Sequence, residues 1–406
     1  MKVVSYHVNR IILLRGGRVL QDVYIVGMNR IPFGKYRGFY KDKSAVDLGV
    51  LALKGLLKKN IVPQDKIDSI LVGNVLSAGL GQNVARQIAL KSGLPESVVG
   101  TSVDDVCGSS LKALRFAQGQ LLLGDSQIAI VGGAESMTNA PLLLDKSKKH
   151  DENPAYQDSL MIDGIGDAYS RKPMGITAEN VADKYHITRQ DMDEFALDSH
   201  AKAYAAQENN WFEEEYAPIE LDGNVLDHDE TIRPDSSLEA LGQLKPVFKE
   251  NGRVTAGNSS PLTDGASMLL LSNQQKLDEL NLTPLAYLGA YAEIGCYPAY
   301  MGYAPYFAIK ELLTKTNSTI EDYDLIEINE AFAAQAYAVA RDLNIPKEKL
   351  NIAGGAISLG HPLGATGTRL VMSAVNGLRK INGRRAIVSL CIGGGQGIAY
   401  EIRRII

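Results

Sequence analysis

Of the six histidines in the chain, His361 alone sits in a glycine-rich turn, Gly360-His361-Pro362-Leu363-Gly364-Ala365-Thr366-Gly367. Glycines on both sides let a backbone approach a ligand closely and turn its amides toward it. An imidazole in that frame suits a general base, although a plain strand-to-helix turn uses the same residue types. Cys107 lies where a strand-like run, 101–106, passes into a helix with Leu111, Leu114, Ala117 and Leu121 on one side and Gly124 at its end. The free N–H groups of a helix start favour a thiolate and can hold an oxyanion. A cysteine at a strand end is nevertheless more often a small buried hydrophobe. Cys391 closes a buried strand, 386–392, and runs into Gly393-Gly394-Gly395.

These residues need a frame, and the apolar pattern supplies one. Short buried strands read at 23–27, 70–73, 128–131, 266–271, 325–329 and 386–392. Helices read over 44–58, with Ser44 as cap, and over 85–94, 107–124, 178–209, 305–313 and 331–343. A further helix follows the His361 turn, carrying Leu370, Val371, Ala374, Val375 and Leu378. Alternation of strands and helices predicts a parallel sheet with crossover connections. Residues 141–172 leave the sheet, 211–249 are loop-rich, and 251–257 return to strand-like chemistry.

The last third repeats the first. Twenty-two positions separate Cys107 from Ala129, and 25 separate His361 from Ala386. Both stretches place a reactive residue before a helix and a glycine run after the next strand. Such a duplication of α/β halves gathers residues at strand carboxyl ends and helix starts, bringing Cys107, His361 and Cys391 together.

Composition narrows the function classes. The chain has 406 residues, 45% hydrophobic and 22% charged, with a formal net charge of −5. That length implies two or three domains, and that balance an ordinary globular protein. An acidic chain without a basic face argues against nucleic acid and membrane surfaces as partners, and no apolar run reaches the ~18 residues of a spanning helix. Three widely spaced cysteines without a CxxC pair argue against a metal site or a disulfide framework, and fit a reducing, cytoplasmic setting. Residues 1–20 carry four basic residues and no acid, and are read as an N-terminal extension.

Four segments carry a family resemblance: Val106-Cys107-Gly108-Ser109-Ser110-Leu111-Lys112-Ala113, Asn329-Glu330-Ala331-Phe332-Ala333, Gly360-His361-Pro362-Leu363-Gly364 and Cys391-Ile392-Gly393-Gly394-Gly395-Gln396-Gly397. In this order they resemble the four signatures of the thiolases, and the similarity runs from about Gln21 to the end. The resemblance implies two duplicated βαβαβαββ halves in a five-layered α/β/α/β/α arrangement with an inserted loop domain. The implied division is 1–20 extension, 21–140 first half (completed by about 251–285), 141–250 loop domain and 286–406 second half.

The resemblance also implies roles. Cys107 would be the acylated nucleophile, His361 its base and Cys391 the acid/base at the second substrate's methyl carbon. Asn329, through a water, and His361 would hold the enolate oxygen. The backbone amides of Cys107 and Gly393 would hold the tetrahedral oxyanion. Ser260 would contact the pantetheine of coenzyme A, Arg233 its adenine and phosphates, and Met174 and Met301 would line the acyl pocket. Coenzyme A thioesters would be substrates, with no cofactor and no metal. The family forms dimers and dimers of dimers, which implies a homo-oligomer.

Two positions depart from the family pattern. Asp104 stands where Asn is usual, and its carboxylate would oppose a thiolate unless paired or turned away. Pro173 stands where many short-chain enzymes have histidine. Cys296 matches no motif and is read as structural. The leading reading is acetyl-CoA C-acetyltransferase. The alternatives are a degradative 3-ketoacyl-CoA thiolase for longer chains, a decarboxylating ketosynthase, which would carry His or Asn in place of Cys391, and a non-catalytic acyl-CoA or lipid carrier.

Overall fold

A computed structural model of the chain describes residues 22–59 and 62–405. The extension read at 1–20 lies outside the described residues. The first half runs β1 (Val23–Arg30), α1 (Ala45–Lys59), β2 (Ser69–Gly73), α2 (Val84–Lys91), β3 (Val99–Val103), α3 (Ser109–Leu123), β4 (Ile128–Ser136) and, after the loop region, β5 (Thr263–Asn273). Two helices, α4 (Gly175–Lys184) and α5 (Arg189–Glu208), stand in that region. The second half runs β6 (Ala286–Gly295), α6 (Ala304–Thr316), β7 (Leu325–Ile328), α7 (Ala333–Asp342), α8 (Thr366–Lys380), β8 (Arg385–Ile392) and β9 (Gln396–Arg403).

Pairing order exposes the repeat. In the first half the order is β3-β2-β4-β5-β1, and in the second β7-β8-β9-β6. Both halves join a parallel pair (β2 with β4, β7 with β8) to two antiparallel ones, and the first half adds a second parallel pair, β2 with β3. The counterpart of β3 shrinks to a single parallel bridge, Ile326 with Leu350. Where the halves meet, β1 and β6 pair over only Tyr24–Tyr287 and Ile25–Ala286.

The fully parallel sheet expected from strand–helix alternation is therefore corrected to a mixed one. Gly393-Gly394-Gly395 is too short for a crossover, so β9 must run back against β8. The 251–257 segment is corrected as well. No strand forms there, because Thr255 Oγ1 caps Gly257 N at 3.2 Å while Asn258 Oδ1 takes Thr255 N at 2.8 Å, coiling the chain into a short turn. The single helix read over 178–209 is two. His186 takes a positive φ of 55°, and Thr188 with Asp191 forms a reciprocal cap that starts α5 afresh.

Burial accounts for the layers. Helices α1 and α2 cover one face of the first half's sheet with Leu48, Leu53, Leu56 and Ile88. Helices α6 and α7 cover the far face of the second half with Ile309, Leu312, Ala334 and Val339. Between the two sheets lie α3 and α8, whose Leu111, Leu114, Leu370 and Val375 share one core with both. This is a five-layered α/β/α/β/α stack. Its central helices are the two that start beside Cys107 and His361.

Candidate active site

The Cys107 turn is strained by construction. Val106 has φ 48°, a left-handed conformation that costs a β-branched residue about 1–3 kcal/mol. Two side chains hold it there. The Asp104 carboxylate accepts Val106 N at 3.0 Å, and Ser109 Oγ donates to Val106 O at 2.6 Å. Asp104 is thus turned onto the backbone, and the carboxylates that act on the Cys107 sulfur are Asp105 and Glu135. Cys107 is buried against Val75, Leu76, Met137, Leu160 and Leu363. Burial pushes its thiol up to about 12, while the N–H groups of Gly393 and of Cys107 itself face the sulfur and pull the other way. Ionisation at neutral pH therefore needs a base.

The ring of His361 is held with one nitrogen able to accept a proton. Its Nδ1 lies 2.6 Å from Thr366 Oγ1, whose own proton goes to Pro362 O at 2.9 Å. A hydroxyl with its only hydrogen committed must accept, so Nδ1 carries the imidazole proton and Nε2 keeps its lone pair. Asn329 Nδ2 reaches that Nε2 at 3.4 Å. Burial, with the Arg369 guanidinium second, holds His361 down at about 3, so the ring is neutral at pH 7. Asn329 Oδ1 is buried and makes no hydrogen bond, leaving an acceptor for a bound water or ligand.

Cys391 ends β8 with no exposed surface. Burial and the neighbouring Cys107 push its thiol above the ordinary range. Its Sγ points to Gln335 Oε1 at 3.8 Å. Met301 and Ala331 pack around it, with Met174 and Phe332 at the rim. A Cβ on Gly393 would lie 3.2 Å from the Met174 methyl and 3.3 Å from Val106 Cγ1, so the glycine run closes over both cysteines.

Asn329 meets His361, Cys107 acts on Cys391 through space, and Leu363, two residues after His361, shares an apolar cluster with Cys107. The halves are stitched by Thr368 N to Ser110 Oγ at 3.0 Å and by Ser267 Oγ to Ala365 O at 2.8 Å. At Gly133 a Cβ would sit 1.8 Å from Gly364 O, so only glycine allows this approach.

A cleft of about 460 Å³ opens nearby, lined by Arg233, Leu241, Leu244, Gly257, Ser259 and Pro261 among others. Ser259 in its lining bridges to Phe332, which packs against the cluster that holds Cys391. Arg233 is thus at the cleft, whereas Ser260 is turned to the protein, its N and Oγ both 3.0 Å from Ala331 O. A larger groove of about 590 Å³, between residues 37–43 and 221–230, contains none of these groups. Cys296, half-buried, donates its N–H to Gly395 O and so supports the glycine turn. Among the described residues no cluster of His, Cys, Asp and Glu could hold a metal ion, and no helix is long and apolar enough to cross a membrane.

Sequence reading misses three polar groups: Thr366, Gln335 and Glu135. Thr366 reads as a helix cap and Gln335 as one polar residue in an alanine run. Glu135 ends a strand with no exposed position.

Residues 23–275 match the model for the thiolase N-terminal domain and residues 282–404 that for the thiolase C-terminal domain. The chain belongs to the thiolase family. A probable acetyl-CoA acetyltransferase of Escherichia coli K12 is 44% identical over 391 residues, covering 95% of this chain and all of that protein. An acetyl-CoA acetyltransferase of Chromobacterium violaceum is 42% identical over 94% of this chain and all of its own. Among solved structures, human mitochondrial 3-ketoacyl-CoA thiolase in complex with CoA superposes with a TM-score of 0.92 at 38% identity, covering 95% and 98% of the two chains. The Bacillus anthracis acetyl-CoA acetyltransferase gives 0.91 at 36%, covering 95% and 99%. This thiolase is accordingly an acyltransferase with the five-layered thiolase fold.

Proposed function

We propose that this thiolase is an acetyl-CoA C-acetyltransferase, joining two acetyl-CoA molecules into acetoacetyl-CoA and free CoA, reversibly. The observation that carries the reading is the close packing of the Cys107 turn on the strand end that bears Cys391: a Cβ on Gly108 would meet Ile392 Cδ1 at 2.5 Å, and one on Gly393 would meet Val106 Cγ1 at 3.3 Å. A carbonyl attacked by the Cys107 sulfur would develop its negative oxygen beside the N–H groups of Cys107 and Gly393. Relatives named acetyl-CoA acetyltransferase at 42–44% identity support the same substrate.

The steps follow from the proton positions. His361 Nε2 takes the Cys107 proton, and the thiolate attacks the first acetyl-CoA. CoA leaves as the thiol with the proton of Cys391, which is then a thiolate. Cys391 removes a methyl proton from the second acetyl-CoA, whose enolate oxygen is held by protonated His361 and by a water on Asn329. The carbanion attacks acetyl-Cys107, and the released Cys107 sulfur recovers its proton from His361. Every group returns to its starting state.

Arg233 at the cleft would meet the nucleotide phosphates of CoA, Ser259 and Ser260 would flank the pantetheine, and Met174 and Met301 would bound the acyl group. A second reading, thiolysis of longer 3-ketoacyl-CoA, is favoured by the likeness to the human 3-ketoacyl-CoA thiolase and by Pro173 beside the acyl pocket. The carrier reading would need a missing group, and all four are present. Among the described residues no further strand pairs with the outer edge of β3, where Val99 is exposed, and such an edge suits pairing with a second copy in a dimer or dimer of dimers. Three free cysteines suit a cytoplasmic setting.

The test is incubation with labelled acetyl-CoA, acid quench and peptide mapping. Label on Cys107 together with acetoacetyl-CoA in solution is expected, and an unlabelled Cys107 overturns the reading. A chain-length series in thiolysis separates the two substrate classes.

A further inference from the structure

Glu135 carries a carboxylate that the steps above do not use. It is fully buried, yet four donors converge on it. Oε1 accepts Asn74 Nδ2 at 2.9 Å and Leu76 N at 3.0 Å, and Oε2 accepts Val75 N at 3.0 Å and Gly364 N at 2.9 Å. The first three donors belong to the exit of β2. The fourth comes from the other half of the molecule, three residues after His361.

The partners are not arbitrary. Val75, Leu76 and Leu363, the neighbour of Gly364, are residues that pack on the Cys107 sulfur. The carboxylate also acts on Cys107 through space, alongside Asp105. Burial pushes Glu135 up to about 7 against the pull of its backbone donors, so it is ionised through the alkaline range in which the Cys107 thiol gives up its proton. Burying a carboxylate only to join loops is costly, since a neutral acceptor would do that with less desolvation. We propose that Glu135 is a positioning residue that locks the His361 loop onto the wall around Cys107 and sets a buried negative charge beside the nucleophile.

The proposal rests on Cys107 being the nucleophile, and Glu135→Gln tests it. The amide keeps the shape, but whichever way it turns its NH2 faces at least one backbone N–H, that of Leu76 or those of Val75 and Gly364. A loop displaced by about 1 Å costs about 100-fold in kcat, with KM for acetyl-CoA nearly unchanged. Loss of the charge also moves the pH profile of Cys107 alkylation by iodoacetamide, read without any acyl-CoA, toward lower pH. A folded Glu135→Gln protein with wild-type kcat and a wild-type alkylation profile overturns the proposal. So does a fall in stability alone. Should Glu135→Gln not fold, Asn74→Ala replaces it. Removing one donor leaves the carboxylate charge less compensated, so the alkylation profile moves toward higher pH and kcat falls less than about tenfold. No movement in either measure overturns the proposal. Failure of the thiolase chemistry itself appears separately, as wild-type protein that takes no acetyl label on Cys107.

Discussion

The turn before Cys107 and the turn before His361 occupy equivalent places in the duplicated halves, and they solve one problem differently. Each puts a residue of positive φ directly before the reactive one: Val106 at 48° and Gly360 at 99°. In the second half glycine meets that demand without strain. In the first half a β-branched residue is forced into it and clamped by Asp104 and Ser109. The His361 turn needs only a fixed ring, set by Thr366 and buried. In the proposed chemistry the Cys107 turn must carry a sulfur that is acylated and released, and its side-chain clamps fix the backbone directly before that sulfur.

The largest effect that tests this contrast belongs to Gly360→Ala. A Cβ there meets Thr263 Cγ2 at 2.5 Å in a backbone region open to glycine alone. We expect a loss of about 3 kcal/mol or more in denaturant unfolding. An unchanged midpoint would break the comparison.

Next comes Thr366→Val, which keeps shape but removes the acceptor for His361 Nδ1–H. Part of the ~10²–10⁴-fold worth of a positioned base should go, so acylation of Cys107 slows by about 10–100-fold while folding stability changes little. Single-turnover acid quench measures it, and an unaltered rate would mean the tautomer is fixed elsewhere.

The smallest effect is Val106→Gly. Relief of strain and the added freedom of the unfolded chain nearly cancel, leaving stability within about 1 kcal/mol. The acylation rate should still drop a few-fold as the clamp loosens. A loss of stability comparable with that of Gly360→Ala would show that Val106 is packed rather than strained.

What could be read from the residues follows from what each signal encodes. Cys107, His361 and Cys391 stand beside glycines, because backbone must come close to substrate there, and glycine is visible in a sequence. Gln335 and Glu135 act through the third dimension, 56 and 229 positions from their partners Cys391 and Gly364. Thr366 is only five residues from His361, but a hydroxyl at a helix start does not announce that it will turn back onto a ring nitrogen. Most strands announce themselves as apolar runs, whereas β6 does not. Its Tyr287, Gly289, Ala290 and Tyr291 are half-exposed, and its register shifts between Leu288 and Tyr291, so neither alternation nor a continuous run survives. Strand direction was illegible for a related reason, since alternation of element types carries no information about a three-glycine reversal. Ser260 lies in the expected segment with its hydroxyl proton given to Ala331 O, so what it keeps for a ligand amide is its lone pairs, a detail no motif encodes.

The account's central claim is the division of labour between two buried sulfurs. Cys391→Ala, mixed with labelled acetyl-CoA and acid-quenched over a time course, tests it most directly. Acetyl-Cys107 should form more slowly, because the departing CoA has lost its proton donor, yet accumulate with no acetoacetyl-CoA released. Condensation at the wild-type rate, or label appearing on a residue other than Cys107, would contradict it.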